Sequence, residues 1–312
     1  MDKIVIGIDV GASTTKIVGV KAGEVIAPTR IKAMDPVTSL YGAFGKYLYD
    51  NGISLADIGQ VMLAGVGAEY VDKCIYGLPT ERVGEYEADA IGAQYGSGLD
   101  NLIVVSMGTG TTLIEVRGEE VKHLGGLGLG GGTLIGLSQL LLGTSDVEQI
   151  SKMAAKGNLA NINLNIGDIS INPLPGLPLD TTASLFGNVT NLASPEDIGS
   201  ATVLASKANN FKEFVMIGNL TKIPQTRWVF DSLEPLYGVR FIIPKHSEFC
   251  TAIGAALKAT PQLLKRGQSI SLTLNMSTLL RPTWRALRRH GQPDSCVPTC
   301  HSCPPCGRKT AI

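Results

Sequence analysis

Two short stretches carry residue types suited to phosphate chemistry. The first is Ile6-Gly7-Ile8-Asp9-Val10-Gly11-Ala12-Ser13-Thr14-Thr15-Lys16, and the second runs from Val104 to Thr112 around Gly108-Thr109-Gly110. Each reads as strand, glycine-containing turn with hydroxyls, strand, offering backbone N–H groups and hydroxyls at a tight turn. Neither is a Walker A loop, which needs G-x-x-x-x-G-K-[ST]. A lone Gly-Thr-Gly hairpin is usually only a turn. Two such turns, the first set between an acid and a lysine, point to a nucleotide. Phosphoryl transfer asks the protein mainly for positioning and charge neutralisation. Lys16 supplies a positive charge for β/γ-phosphates, and Asp9 is placed to hold Mg²⁺ through water. Gly11 and Ser13 on one side, with Gly108, Thr109 and Gly110 on the other, would clasp the phosphates.

A third segment, Gly125 to Gly132, has six glycines in eight residues. Ordering a glycine costs roughly 0.5–1 kcal/mol more than ordering alanine, so the run predicts close approach of a nucleotide to bare backbone, with Gly130, Gly131 and Gly132 at its end. A dinucleotide fingerprint is rejected, because it needs a strand–turn–helix unit and an acid about 20 residues on; Asp146 lies near that distance but starts a helix. Gly218-Asn219 follows a short strand and is a further nucleotide-side candidate.

Alternating elements must position these groups. Strands are expected at Lys3–Asp9, Lys16–Val20, Glu24–Ile31, Val61–Ala64, Leu102–Met107, Thr111–Val116, Phe214–Ile217 and Arg240–Ile243. Helices are expected after Asp35-Pro36, which supplies a cap and a first-turn proline, and at Glu87–Tyr95, Thr133–Leu142, Asp146–Ala155 and Phe249–Leu257. Such interleaving means an α/β protein. The uncharged stretch Leu124–Ser145 is 22 residues long, enough to span a bilayer on length alone. Eight of those residues are glycine, so it reads as a loop followed by a buried helix.

The two turns resemble the phosphate loops of the actin-like ATPase superfamily. Three further segments are similar to type II (eukaryotic-like) pantothenate kinases: Gly84-Glu85-Tyr86-Glu87-Ala88, His123 to Thr133, and Met153 to Asn158 with Ala183 to Asn188. The resemblance covers residues 3–257. It implies a two-domain actin/Hsp70-like fold with the nucleotide in the cleft between domains, and ATP- and Mg²⁺-dependent phosphorylation of pantothenate in coenzyme A synthesis. By the same resemblance Glu85 is the catalytic base, Thr112 and His123 contact substrate, Gly218 borders the adenosine, the chain is a homodimer, and acyl-CoA or CoA inhibits. Beside Glu85, the acids Glu87 and Asp89 read as a solvated helix face. His123 stands where the best-known members carry Arg and cannot form Arg's bidentate fork. A kinase of another pantoyl-like alcohol is therefore an alternative. Two others are an Fe–S ATPase activator of a 2-hydroxyacyl-CoA dehydratase, whose first loop is similar, and a non-catalytic acyl-CoA binder.

Composition narrows the setting. The 312 residues carry equal numbers of acids and bases, which lends nothing to a nucleic-acid binder. Residues 258–312 hold nine Lys or Arg and one acid, so an acidic body precedes a basic tail. The expected organisation is subdomains at 1–100 and 101–257, then a disordered or non-native tail over 258–312. The tail's Cys296-x₃-Cys300-His301-x-Cys303-x₂-Cys306 matches no common zinc finger. About a dozen family residues are missing near 198–199, which predicts a weakened dimer. With only Cys74 and Cys250 in the body and no signal peptide at the start, the expected site is the cytoplasm, without membrane attachment.

Overall fold

A computed structural model describes residues 3–32, 35–172, 178–184, 187–188 and 213–260. The first sheet comprises β1 (Ile4–Val10), β2 (Thr14–Lys21), β3 (Glu24–Lys32), β4 (Ile58–Ala64) and β5 (Thr80–Arg82), with α1 (Pro36–Asn51) between β3 and β4. Its order is β3-β2-β1-β4-β5, β1 running antiparallel to β2 and parallel to β4. After α2 (Glu85–Ser97) come β6 (Asn101–Met107), β7 (Thr111–Arg117) and β8 (Glu120–Leu127), then α3 (Gly131–Leu142) and α4 (Val147–Ala154). A two-stranded ribbon of β9 (Leu164–Asn165) and β10 (Thr182–Ser184) brackets α5 (Ile166–Ile169). The second sheet is completed by β11 (Glu213–Ile217) and β12 (Arg240–Ile242), separated by α6 (Pro224–Tyr237); α7 (Cys250–Lys258) follows. Its order, β12-β11-β6-β7-β8, repeats the first sheet's scheme, with β6 antiparallel to β7 and parallel to β11.

Strand β1 explains why the first sheet is covered on both faces. All seven of its residues are buried. Successive side chains of a strand point to opposite faces, so Ile4, Ile6, Ile8 and Val10 pack with Leu40, Phe44 and Tyr47 of α1. Val5 turns the other way and joins Val18 and Met62 against Ala252, Ile253 and Ala256 of α7. Leu40 and Phe44 retain no exposure; each contributes about 1.5–3 kcal/mol by leaving water. Helix α1 begins as its sequence dictates: the Asp35 carboxylate accepts from the Thr38 N–H at 2.7 Å, Pro36 occupies the first turn, and Gly52 ends it in the left-handed region at φ 62°.

Helix α7 also lies against α2. A Cβ at Gly92 would stand 1.9 Å from the Cys250 carbonyl oxygen, and one at Gly254 1.8 Å from that of Ala88. Only glycine admits this approach, which joins the helix carrying Glu85 to the helix that covers the first sheet.

Leu124–Ser145 departs from the expected loop and buried helix. Strand β8 extends through Gly125 and Gly126 to Leu127. Helix α3 follows, burying only Leu134 and Ser138, an i,i+4 pair on one stripe, while Leu140 is 82% exposed. Among the described residues no helix is long and apolar enough to cross a membrane. The shortened segment near 198–199 and the cysteine-containing tail lie outside the described residues.

Candidate active site

The two hairpin turns meet at one cavity. The β1–β2 register closes at Val10 opposite Thr15, leaving a turn in which the Gly11 N–H donates to the Thr14 carbonyl at 3.1 Å. The β6–β7 register closes at Met107 opposite Thr111, leaving Gly108, Thr109 and Gly110 as the second turn. A cavity of about 460 Å³ is lined by both turns, by Asp9 and Lys16, by Glu85 and Tyr86, by Thr112 and His123, and by Gly218.

Asp9 and Lys16 face each other as cross-strand partners, and the Lys16 Nζ donates to Asp9 Oδ2 at 2.9 Å. Both are 6% exposed. Burial works against the lysine's charge, yet the attraction and hydrogen bond of Asp9, helped by Asp89, hold its pKa above the ordinary value. The ammonium therefore stays charged at any working pH. Gly65 stands beside the pair at φ 83°, and a Cβ there would come within 2.6 Å of Asp9 Oδ1. That bare backbone leaves room at the oxygen Lys16 does not take.

Glu85 is the first residue of α2 and is exposed to the cavity. The surrounding protein mass still desolvates its carboxyl, and with the charge of Asp9 raises its pKa; Lys16 pulls the other way. Its neighbour Tyr86 stacks on His123, with ring centroids 4.6 Å apart and planes 13° from parallel. The two rings and Thr112 line the cavity with Glu85, bringing the helix start and β8 to one place. His123 thus presents an aromatic face on Tyr86.

Gly130, Gly131 and Gly132 are not among the lining residues. The Gly131 and Gly132 N–H groups donate to the Gly108 and Thr109 carbonyls, both at 2.9 Å. A Cβ at Gly130 would stand 2.6 Å from the Thr109 carbonyl oxygen. The backbone these glycines approach is the second turn, whose shape they fix from behind. Gly218, at φ 96°, does the same from β11: a Cβ there would fall 2.4 Å from the Met107 carbonyl oxygen.

Asn219, named with Gly218 in the sequence, lines the cavity too, whereas Ser106 and Thr251 escaped that reading. Asn219 Nδ2 reaches the Thr14 hydroxyl at 3.3 Å, linking the first turn to the end of β11, while its Oδ1 is buried without a partner. Ser106 and Thr251 also line the cavity. The Thr251 hydroxyl donates to Asp89 Oδ1 at 2.6 Å, and the Ser106 hydroxyl favours the same carboxylate. Asp89 is 1% exposed, which corrects its assignment to a solvated face. The signal was its place four residues after Glu85, on the same side of the helix.

The fold is shared with two solved structures. Component A of (R)-2-hydroxyglutaryl-CoA dehydratase from Acidaminococcus fermentans superposes with TM-score 0.61 at 18% identity, over 85% of this chain and 99% of that one. The activator of 2-hydroxyisocaproyl-CoA dehydratase from Clostridium difficile, solved with ADPNP, gives 0.57 at 15%, over 86% and 98%. The twice-repeated sheet and the cavity between its turns make this an actin-like ATPase fold. In sequence the chain is similar to type II pantothenate kinases. The Fumble family model matches residues 93–223. The type II pantothenate kinase of Staphylococcus saprophyticus is 28% identical over 278 residues, 80% of this chain and 98% of that protein. That of Staphylococcus haemolyticus is 29% identical over 179 residues, 52% and 67%.

Proposed function

We propose that the chain is a pantothenate kinase, transferring the γ-phosphoryl group of ATP to the substrate's terminal hydroxyl. The observation that carries this reading is the single cavity holding both turns, the Asp9–Lys16 pair and Glu85. Lys16, kept charged, would bind the β/γ-phosphate oxygens, while the amides and hydroxyls of Gly11, Ser13, Gly108, Thr109 and Gly110 enclose them. The glycines 130–132 and Gly218 would hold the second turn in shape. Asp9, with the space Gly65 leaves at Oδ1, fits a water-held Mg²⁺, a cation that takes one or two carboxylates beside the phosphates. Bound there, the metal would neutralise phosphate charge.

Glu85 takes the hydroxyl proton as the oxygen attacks phosphorus. A base works best with its pKa near the operating pH, and desolvation moves Glu85 in that direction. Thr112 and the Tyr86–His123 face would orient the alcohol. A carboxylate substrate meets no arginine among the described lining residues, so a pantoyl-like alcohol without a carboxylate is the second reading.

A coupled ADP-release assay with pantothenate and a panel of small alcohols tests the activity. Glu85→Ala is expected to abolish turnover while ATP binding stays within a few-fold. Undiminished turnover in that variant would remove Glu85 from the mechanism.

A further inference from the structure

A carboxyl with almost no access to water is costly unless hydrogen bonds repay it. Asp89 is such a group, 1% exposed on α2, and it does not itself line the cavity. The Thr251 hydroxyl, in the first turn of α7, donates to it at 2.6 Å, and the Ser106 hydroxyl, near the end of β6, favours its charged form. Both partners line the cavity, so Asp89 stands behind the wall they form. Four residues before it on the same helix is Glu85, and residues four apart on a helix lie on one face.

We infer that Asp89 is a positioning residue for the transfer, tying α2 to α7 and β6 through Thr251 and Ser106 so that Glu85 is held against the two phosphate turns. This rests on the kinase reading, in which Glu85 is the base. An apolar residue would serve packing between α2 and α7 equally well. A carboxyl joins three elements at one point, and its neighbours there are functional groups. The charged and titratable groups around it are Glu85 on its own helix, Asp9 on β1, Lys16 on β2 and the Cys250 thiol on α7. Burial, opposed by the two hydroxyls and reinforced by Glu85 and Asp9, pushes the Asp89 pKa up to about 7. The tie therefore titrates near neutrality, a signature that packing alone would not give.

The test is steady-state kinetics of the full chain across pH, with ATP and pantothenate, for Thr251→Val, Ser106→Ala, Asp89→Asn and Glu85→Gln. Valine preserves the shape of Thr251 and removes its hydroxyl. A displaced catalytic group costs up to about 100-fold. Thr251→Val is accordingly expected to lower kcat roughly 10- to 100-fold, with KM for ATP changed less than about threefold. Losing a hydrogen bond that favours the carboxylate raises the Asp89 pKa, so the near-neutral limb of its kcat profile should move to higher pH. In Asp89→Asn that limb should vanish. Should Thr251→Val fail to fold, Ser106→Ala and Asp89→Asn carry the same readouts. Wild-type kcat and an unmoved limb in the folded tie variants, beside an inactive Glu85→Gln, would overturn the inference and leave the kinase reading standing. An active Glu85→Gln would instead overturn the assigned base.

Discussion

Asp9 and Lys16 meet because they are opposite each other in an antiparallel ladder that closes on a short turn. The strand–turn–strand pattern was readable from the sequence, which assigned Asp9 to Mg²⁺ and Lys16 to phosphate and did not pair them. The same hairpin spends the lysine's charge on a carboxylate, which the sequence could not say. Asp89 was less legible still, since its setting comes from Thr251, 162 residues away. Its pKa makes a separate prediction about stability. An unfolded aspartate titrates near about 3.9, whereas Asp89 in the fold titrates at about 7. Between those values the native state binds the extra proton, so the contribution is fully present below about pH 4 and lost as pH rises through about 7. Urea midpoints of the wild type should fall between pH 5 and pH 8 more steeply than those of Asp89→Asn. Parallel pH dependence in the two proteins would contradict this.

Helices α2 and α7 decide where Glu85 sits, and two glycines decide how closely those helices lie. Gly92→Ala would drive a methyl group into the Cys250 carbonyl. Overpacking of this kind costs about 1–3 kcal/mol, and denaturant midpoints should fall accordingly, with kcat reduced because α2 carries the base. An exposed-face control such as Gly42→Ala, where a Cβ meets nothing within 4 Å, should not lose stability. The contact between α2 and α7 was not legible, because each glycine alone looks like a local helix weakness. Local signals fared better: α1 starts at Asp35-Pro36, where the sequence places it, and Gly52 ends it in the left-handed region. For the glycine-rich stretch, composition marked a close approach to bare backbone and assigned it to a nucleotide, whereas the backbone that Gly130, Gly131 and Gly132 approach is the second turn. Gly125 and Gly126 extend β8, and the later glycines admit the second turn.

At the scale of the molecule, one architectural unit is used twice, and each copy contributes the hairpin between its first two strands. A ligand between them binds only when both copies are folded and correctly placed. ATP should therefore stabilise the whole described body. At a hundredfold excess over Kd the gain is about 2.7 kcal/mol, visible as a rise in Tm. Glu85→Ala should keep that rise and Lys16→Met should lose most of it; equal rises in both would argue against Lys16 as a phosphate ligand.

The covering of the first sheet by α7 has a consequence for synthesis. Val5, Val18 and Met62 are made early, yet the side chains that shield them, Ala252, Ile253 and Ala256, lie far along the chain and emerge from the ribosome much later. A nascent chain halted before residue 250 would present a bare apolar sheet face to chaperones. Fragments ending there should be recovered as aggregates, and the first sheet should mature only once α7 has been translated.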